Sequence, residues 1–326
     1  MSERLSWRWI AAFLIAIAVL SVLSLAAGKV WIPLDAWFTP DLRWTIIAEL
    51  RVPRTILAIA VGAALGMCGA ALQGYTRNPL ADPGVLGISS SAAFGAVMTL
   101  YISAGMGSPW LLPVGGIIGG VVGTVLLLLF SGATSSLVAF ILAGMVLNTI
   151  AGNGTALALN LAPTPWAVNE IIHWLLGSLV DRSFDEVTFA LPFIAVGIAM
   201  LMTTTRALDA LTLGEATARS LGINLERMRL MLVVGVGLAA GASVAVTGVI
   251  GFVGLITPHL VRPLVGSRPG AVLLPSALCG AVIVLAADIV VRILPSVVEL
   301  KLGIAMAVLG GPFFLMRLIA MRRVTA

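Results

Sequence analysis

Uninterrupted apolar runs of about 18 residues or more, the length that crosses roughly 30 Å of hydrocarbon, recur from one end of the chain to the other. A soluble domain cannot bury that many all-apolar helices, so the chain must fold as a polytopic helical membrane protein. The first run, Ile10–Gly28, follows Arg4 and Arg8. Leu25-Ala26-Ala27 has the small-residue character of a signal-peptidase site, but the run is long for a signal peptide and further runs follow, so it reads as a retained first helix. The remaining spans are Arg54–Gln73, Leu86–Ala104, Leu111–Phe130, Leu137–Leu159, Val187–Thr205, Leu230–Val249, Gly251–Val265, Ala271–Val291 and Leu302–Ile319, which makes ten. Trp31, Trp37 and Trp44 mark an interfacial stretch after the first span, and Ala162–Glu186 reads as an amphipathic segment between the fifth and sixth. The eighth span is too short to cross unaided. The mean hydropathy of +1.11 agrees with this reading.

Ten spans place both termini on one side. With the N-terminus inside, 12 of the 19 Lys and Arg fall on inner segments and 7 on outer ones, the direction that the positive-inside rule requires. The net charge of +5 therefore calls for no nucleic-acid partner. Cys68 and Cys279 stand singly inside apolar spans with no paired spacing, as small buried hydrophobes do.

Between the sixth and seventh spans lies an island of charge in a chain only 10% charged: Arg206, Asp209, Glu215, Arg219, Glu226, Arg227 and Arg229. Glu215 and Arg219 are spaced for an i,i+4 pair in the favourable acid-first order. Gly222 and Asn224 read as a stop, after which LERMR resumes as a second short helix. Such a surface is either a docking site for another protein or a plain solvated loop. No phosphate-binding loop, HExxH or GxSxG motif occurs anywhere, so any nucleotide energy must enter through another polypeptide.

Polar residues inside spans are costly. Thr149, Asn153 and Asn160 fall with Ala156 on one face of the fifth span, either lining a wet pathway or bonding to neighbouring helices. Leu147 and Ile150 stand for the other face. Asp288 is spaced to pair with Arg292 at i+4, and His173 and His259 stand alone in structural roles. The GxxxG pairs Gly62/Gly66, Gly115/Gly119/Gly123, Gly116/Gly120 and Gly237/Gly241 point to close helix packing.

Four ordered blocks carry a resemblance. RVPRTILAIAVGAALGMCGAALQGYTRNPLADPGVLGISSSAAFGA (51–96), LGEATARSLGINLERMR (213–229), GVIGFVGLITPHLVR (248–262), and LAADIVVR leading into ELKLGIAMAVLGGPFF (285–314) resemble the vitamin B12, haem and ferric-siderophore permeases of type II ABC importers. The resemblance covers most of residues 45–320. It implies a single permease domain over 1–326, all α, with ten helices, coupling helices within 206–229 and an outer gate segment over 162–186. It also implies a second copy of the chain, two ATPase subunits carrying ATP and Mg, a periplasmic binding protein, and a place in the bacterial inner membrane with cytoplasmic termini. This chain itself would carry no cofactor or metal, and no catalysis. Gly214, Glu215, Ala218, Arg219, Ser220, Leu221 and Gly222 would meet the ATPase. Arg51, Arg54 and Arg292 would meet acids of the binding protein; alternatively they are interfacial anchors. The segments 169–184 and 77–90 are closest to the haem branch, with ferric siderophores and vitamin B12 as alternatives. No cage of His or Tyr is available to ligate haem iron here. An ion-gradient-driven transporter is the alternative of another class, and a channel or receptor is a third.

Overall fold

The computed structural model describes residues 2–102, 110–132, 137–295 and 299–325, apart from 30, 34, 36 and 39–41. The side chains of Arg4, Arg317, Arg322 and Arg323, counted above among the inner charges, and Ala104, the expected end of the third span, lie outside what is described.

Every regular element among the described residues is helical. The helices are α1 (Ser2–Ala26), α2 (Leu42–Ile46), α3 (Val52–Thr76), α4 (Ile88–Ile102), α5 (Leu111–Ser131), α6 (Leu137–Asn160) and α7 (Pro165–Leu175). They are followed by α8 (Phe184–Thr203), α9 (Thr205–Leu211), α10 (Glu215–Ser220), α11 (Leu225–Thr247), α12 (Val253–Val265), α13 (Pro269–Ile293) and α14 (Leu302–Thr325). Among the described residues, seven stretches are long and apolar enough to cross a membrane, and three shorter apolar helices, Ile88–Ile102, Val253–Val265 and Leu302–Met316, accompany them.

The second span is longer than the sequence suggests. Helix runs from Leu42 to Thr76, interrupted by a π turn at Ile47–Arg51 in which Val52 N–H bonds Ile47 O, five residues back. Pro53 is the physical reason: its ring has no N–H and would meet a carbonyl four residues earlier in a regular helix, so a wider turn precedes it. The eighth span is short, as expected; 13 residues rise only about 20 Å.

α3, α11 and α13 form the centre. The Leu42–Thr76 span is 83% buried, whereas the α1 span is 11% buried and lies at the periphery. Small residues bring the central pair together. A Cβ on Gly66 would lie 2.2 Å from Ser276 O, and one on Gly280 2.1 Å from Gly62 O. Backbone meets backbone here, which is how helices associate where lipid offers no hydrophobic drive.

The chain direction sorts the charges into two ends. The end of α3, the start of α13 and the island share one end; Arg77 bonds Leu211 O and Gly270 N–H donates to Asp209 Oδ1 at 2.8 Å. The start of α3 and the end of α13 share the other with the end of α1, and α14 starts there too, its Gly303 N–H bonding Gly177 O at 3.2 Å.

Candidate functional site

At the island end, α8 stops at Thr203, Thr204 caps it, and α9 follows directly. α10 then forms one and a half turns. Its end closes with two bonds, Ile223 N–H to Ala218 O at 3.1 Å and Gly222 N–H to Arg219 O at 3.0 Å, with Gly222 at φ +81°. That pair of bonds requires a residue at positive φ, which glycine supplies without steric cost. Ala218 is buried and anchors the helix, while Glu215, Arg219, Ser220, Leu221 and Gly222 face out and Gly214 is half-buried at φ +99°. Arg219 Nη2 meets Glu215 Oε2 at 3.2 Å, the i,i+4 pair expected, with both side chains more than half exposed. Leu213 and Leu221, 64% and 60% exposed, flank the pair. One expectation is corrected: LERMR is the first turn of α11, and Asn224 starts that helix rather than stopping α10. Its Oδ1 accepts from Arg227 N–H at 2.9 Å, the bond an N-cap makes.

At the other end, Arg51, Arg54 and Arg292 do come together, but turned inward. Arg51 and Arg292 are 8% and 6% exposed. Arg51 Nη1 donates to Leu25 O and Ala26 O at 2.8 and 2.7 Å, tying down the end of α1. Arg54 grips Asp288 with two nitrogens, at 3.0 and 2.8 Å to Oδ1, and also meets Glu299. Arg292 pairs with Asp288 Oδ2 at 3.1 Å, as its spacing predicts, and donates to Ser24. The arginines that the resemblance sets against a binding protein's acids therefore form a network within the chain, in which Asp288, Glu299 and the carbonyls of α1 supply acceptors. A cleft of about 190 Å³ still reaches it. Lys29, Arg51, Arg54, Arg182 and Arg292 line it against only Asp181 and Glu299, so the cleft is electropositive. Among the described residues Arg182 Nε has no hydrogen-bond partner and is buried there; burial lowers its pKa from the ordinary arginine value, and Glu186 pulls it back up.

Comparison with known proteins decides what these two ends belong to. A profile of the FecCD transport family matches residues 15–320. The chain belongs to the FecCD transport family. It is 36% identical to the uncharacterized ABC transporter permease protein YvrB of Bacillus subtilis, over 96% of this chain and 94% of that one. It is 35% identical to the vitamin B12 import system permease protein BtuC of Shigella boydii, over 98% of each. Among solved structures, an inward-facing conformation assigned to a metal-chelate type ABC transporter superposes with a TM-score of 0.86 at 30% identity, over 93% of this chain and 96% of that one. This FecCD chain is thus a multi-span helical permease of the ABC transporter kind.

On α6 of this FecCD permease, Thr149, Asn153 and Asn160 are all exposed on the isolated chain. Thr149 Oγ1 returns to Met145 O at 2.9 Å on its own helix, and among the described residues neither Asn153 nor Asn160 bonds another helix. Ile150 proves 58% exposed, so it does not mark an opposite, buried face as Leu147 does. The residue that does bridge helices is Asn148, whose Oδ1 accepts from Ser90 at 2.5 Å. Sequence reading also missed Glu299, which lies 245 positions from Arg54, and Ser24; no local period links such distant partners. His259 Nε2 lies 3.3 Å from Pro79 O with its ring edge-on to Phe314, a structural setting, while His173 is exposed on α7. Both cysteines are buried as free thiols.

Proposed function

We propose that this chain is the permease subunit of an ATP-driven importer that carries a metal chelate or corrinoid across the inner membrane of a bacterium. The observation that carries the reading is α10: a short helix, fastened to the bundle through Ala218, that presents an ion pair between two exposed leucines on one end of a FecCD chain. A surface of that composition, apolar anchors with polar rim, suits a protein partner. In this reading, residues 206–229 seat in two ATPase subunits, which hold ATP and Mg, and the transporter is a dimer of this chain. Residues 162–186, with the amphipathic α7, form the outer gate.

A periplasmic binding protein docks on the opposite end. An acidic side chain reaches Arg51, Arg54 and Arg292 through the electropositive cleft, where it competes with Glu299. The relatives named for vitamin B12 and for a metal chelate support the substrate class. Haem, an iron chelate, is the member that residues 169–184 and 77–90 favour. A carrier driven by an ion gradient fits less well, because Asp288, the acid it would use, is held by two arginines.

The test is uptake into proteoliposomes holding this chain with its ATPase subunit and supplied with its binding protein. We expect ATP-dependent accumulation of at least one of cyanocobalamin, haem and a ferric siderophore. Uptake driven by a proton gradient with the ATPase left out would overturn the reading.

A further inference from the structure

A second polar cavity lies at the island end, beside the link from α9 to α10 and apart from the outer cleft. It has a volume of about 420 Å³ and sits where the last turn of α3, the last turn of α12 and the first turn of α13 converge. Arg77 and Arg262 line it with the hydroxyl residues Thr212 and Ser267, and no acid is among its lining residues. Its floor is apolar, formed by Ala70 and Val272.

The guanidiniums are positioned rather than merely present. Gln73, 3% exposed, accepts from Arg262 Nη2 at 2.7 Å and donates to Gly254 O at 3.2 Å, so its amide fixes both its own plane and the direction of Arg262. Arg77 donates to Leu211 O across the gap to the α9–α10 link. Its backbone is in the left-handed region, φ +50° and ψ +27°, at the end of α3, where glycine or asparagine would be less strained. Neither arginine forms an ion pair with a carboxylate among the described residues.

Two oriented, acid-free guanidiniums with two hydroxyl residues beside them, above an apolar floor at a helix-bundle end, match a phosphate joined to a greasy body. We propose that this cavity binds the phosphate of an anionic phospholipid headgroup from the leaflet on the island side. Two features favour a lipid over a carboxylate of a partner protein. The floor is the apolar interior of the bundle end. Leu80, next to the lining Pro79, is 43% exposed, as a side chain covered by an acyl chain is. Planar bidentate arginine suits phosphate oxygens, and basic pockets between helices on the cytoplasmic side take acidic headgroups.

The experiment is a lipid titration of the purified full chain in non-ionic detergent, read by native mass spectrometry. It compares phosphatidylglycerol with phosphatidylcholine of the same acyl chains, in the wild type and in Arg77→Gln, Arg262→Gln and the double variant. The wild type should retain phosphatidylglycerol in preference, and each single variant should weaken that binding about tenfold, the scale of one lost charge-assisted contact. Arg77 is exposed, so its single variant remains informative even where the double variant does not fold. Equal retention of the two lipids, or equal binding by wild type and variants, overturns the proposal. Displacement of phosphatidylglycerol by millimolar inorganic phosphate would reassign the site to free phosphate and overturn the lipid source. Variants that lose the ATPase subunit on co-purification while still binding lipid normally would give the cavity to that partner instead.

Discussion

Asp288 is fully buried at the end of α13 and holds two guanidiniums at once, Arg54 through two nitrogens and Arg292 from its own helix. Removing one member of such a network leaves the others charged and unpaired in a dry site, and that cost exceeds whatever the pairing contributes. Asp288→Asn should therefore lower unfolding stability by about 3–5 kcal/mol, read as a fall in the thermal midpoint in detergent. Replacing Arg54, Asp288, Arg292 and Glu299 together with Met, Leu, Met and Gln should cost far less, since no charge of the network is then orphaned. A single Asp288→Asn variant as stable as wild type would show that water reaches the cluster. The i,i+4 half of this network was legible in the sequence, because Asp288 and Arg292 lie one turn apart on one helix. The other half was not: Arg54 and Glu299 come from elements that only the folded bundle juxtaposes. That is why Arg51, Arg54 and Arg292, which the resemblance sets against a partner's acids, are found bonded within the chain, Arg51 and Arg292 buried and Arg54 partly so.

At the scale of the element, α10 shows what local rules can and cannot supply. The acid-first pair and the glycine stop are local, and both appear as expected. The role of Asn224 was misread because asparagine favours both ends of helices; only the acceptance from Arg227 N–H shows that it opens α11. The same ambiguity hid the π turn ahead of Pro53, since proline marks both a fresh helix start and a distortion inside a longer one. Because Glu215 and Arg219 are more than half exposed, their pair adds little to stability, about 0.5 kcal/mol. Glu215→Lys should thus insert and melt as wild type does, to within that amount. Uptake should fall sharply all the same, while the ATPase hydrolyses without regard to substrate, because a like-charge pair now stands at the docking face. The check is ATPase rate with and without loaded binding protein, beside uptake. Normal coupling in that variant would leave α10 as no more than a solvated turn.

Across the whole molecule, the exposed face of α6 raises the question that a single chain answers least directly, since lipid, a second copy and water all meet an uncovered helix. The arc that contains Thr149, Asn153, Ala156 and Asn160 continues back along α6 through Met145 and Leu142, which are 51% and 55% exposed. It therefore changes character half-way: apolar toward the island end, where α6 begins, and polar toward the end that leads into α7. Sequence periodicity could find the arc but not its surroundings, because the same pattern serves a packed interior and a wet wall. Two asparagines facing hydrocarbon would be expensive, and among the described residues neither bonds another helix, so we expect water rather than lipid to satisfy them. The arrangement suits a vestibule, wet on the outer half and closed by apolar side chains on the inner half. Single cysteines at Asn153 and Asn160, in a chain with Cys68 and Cys279 replaced by alanine, should react with a membrane-impermeant thiol reagent added from the outer side. A cysteine at Leu142 should react under that treatment only after ATP turnover opens the inner half. Cysteines at Val121 and Val125 on α5, which are also exposed on the isolated chain, provide the lipid-facing comparison and should stay unlabelled. If Asn153 and Asn160 label no faster than those α5 positions, the polar arc is buried against the second copy rather than wetted, and the pathway must be sought on another helix.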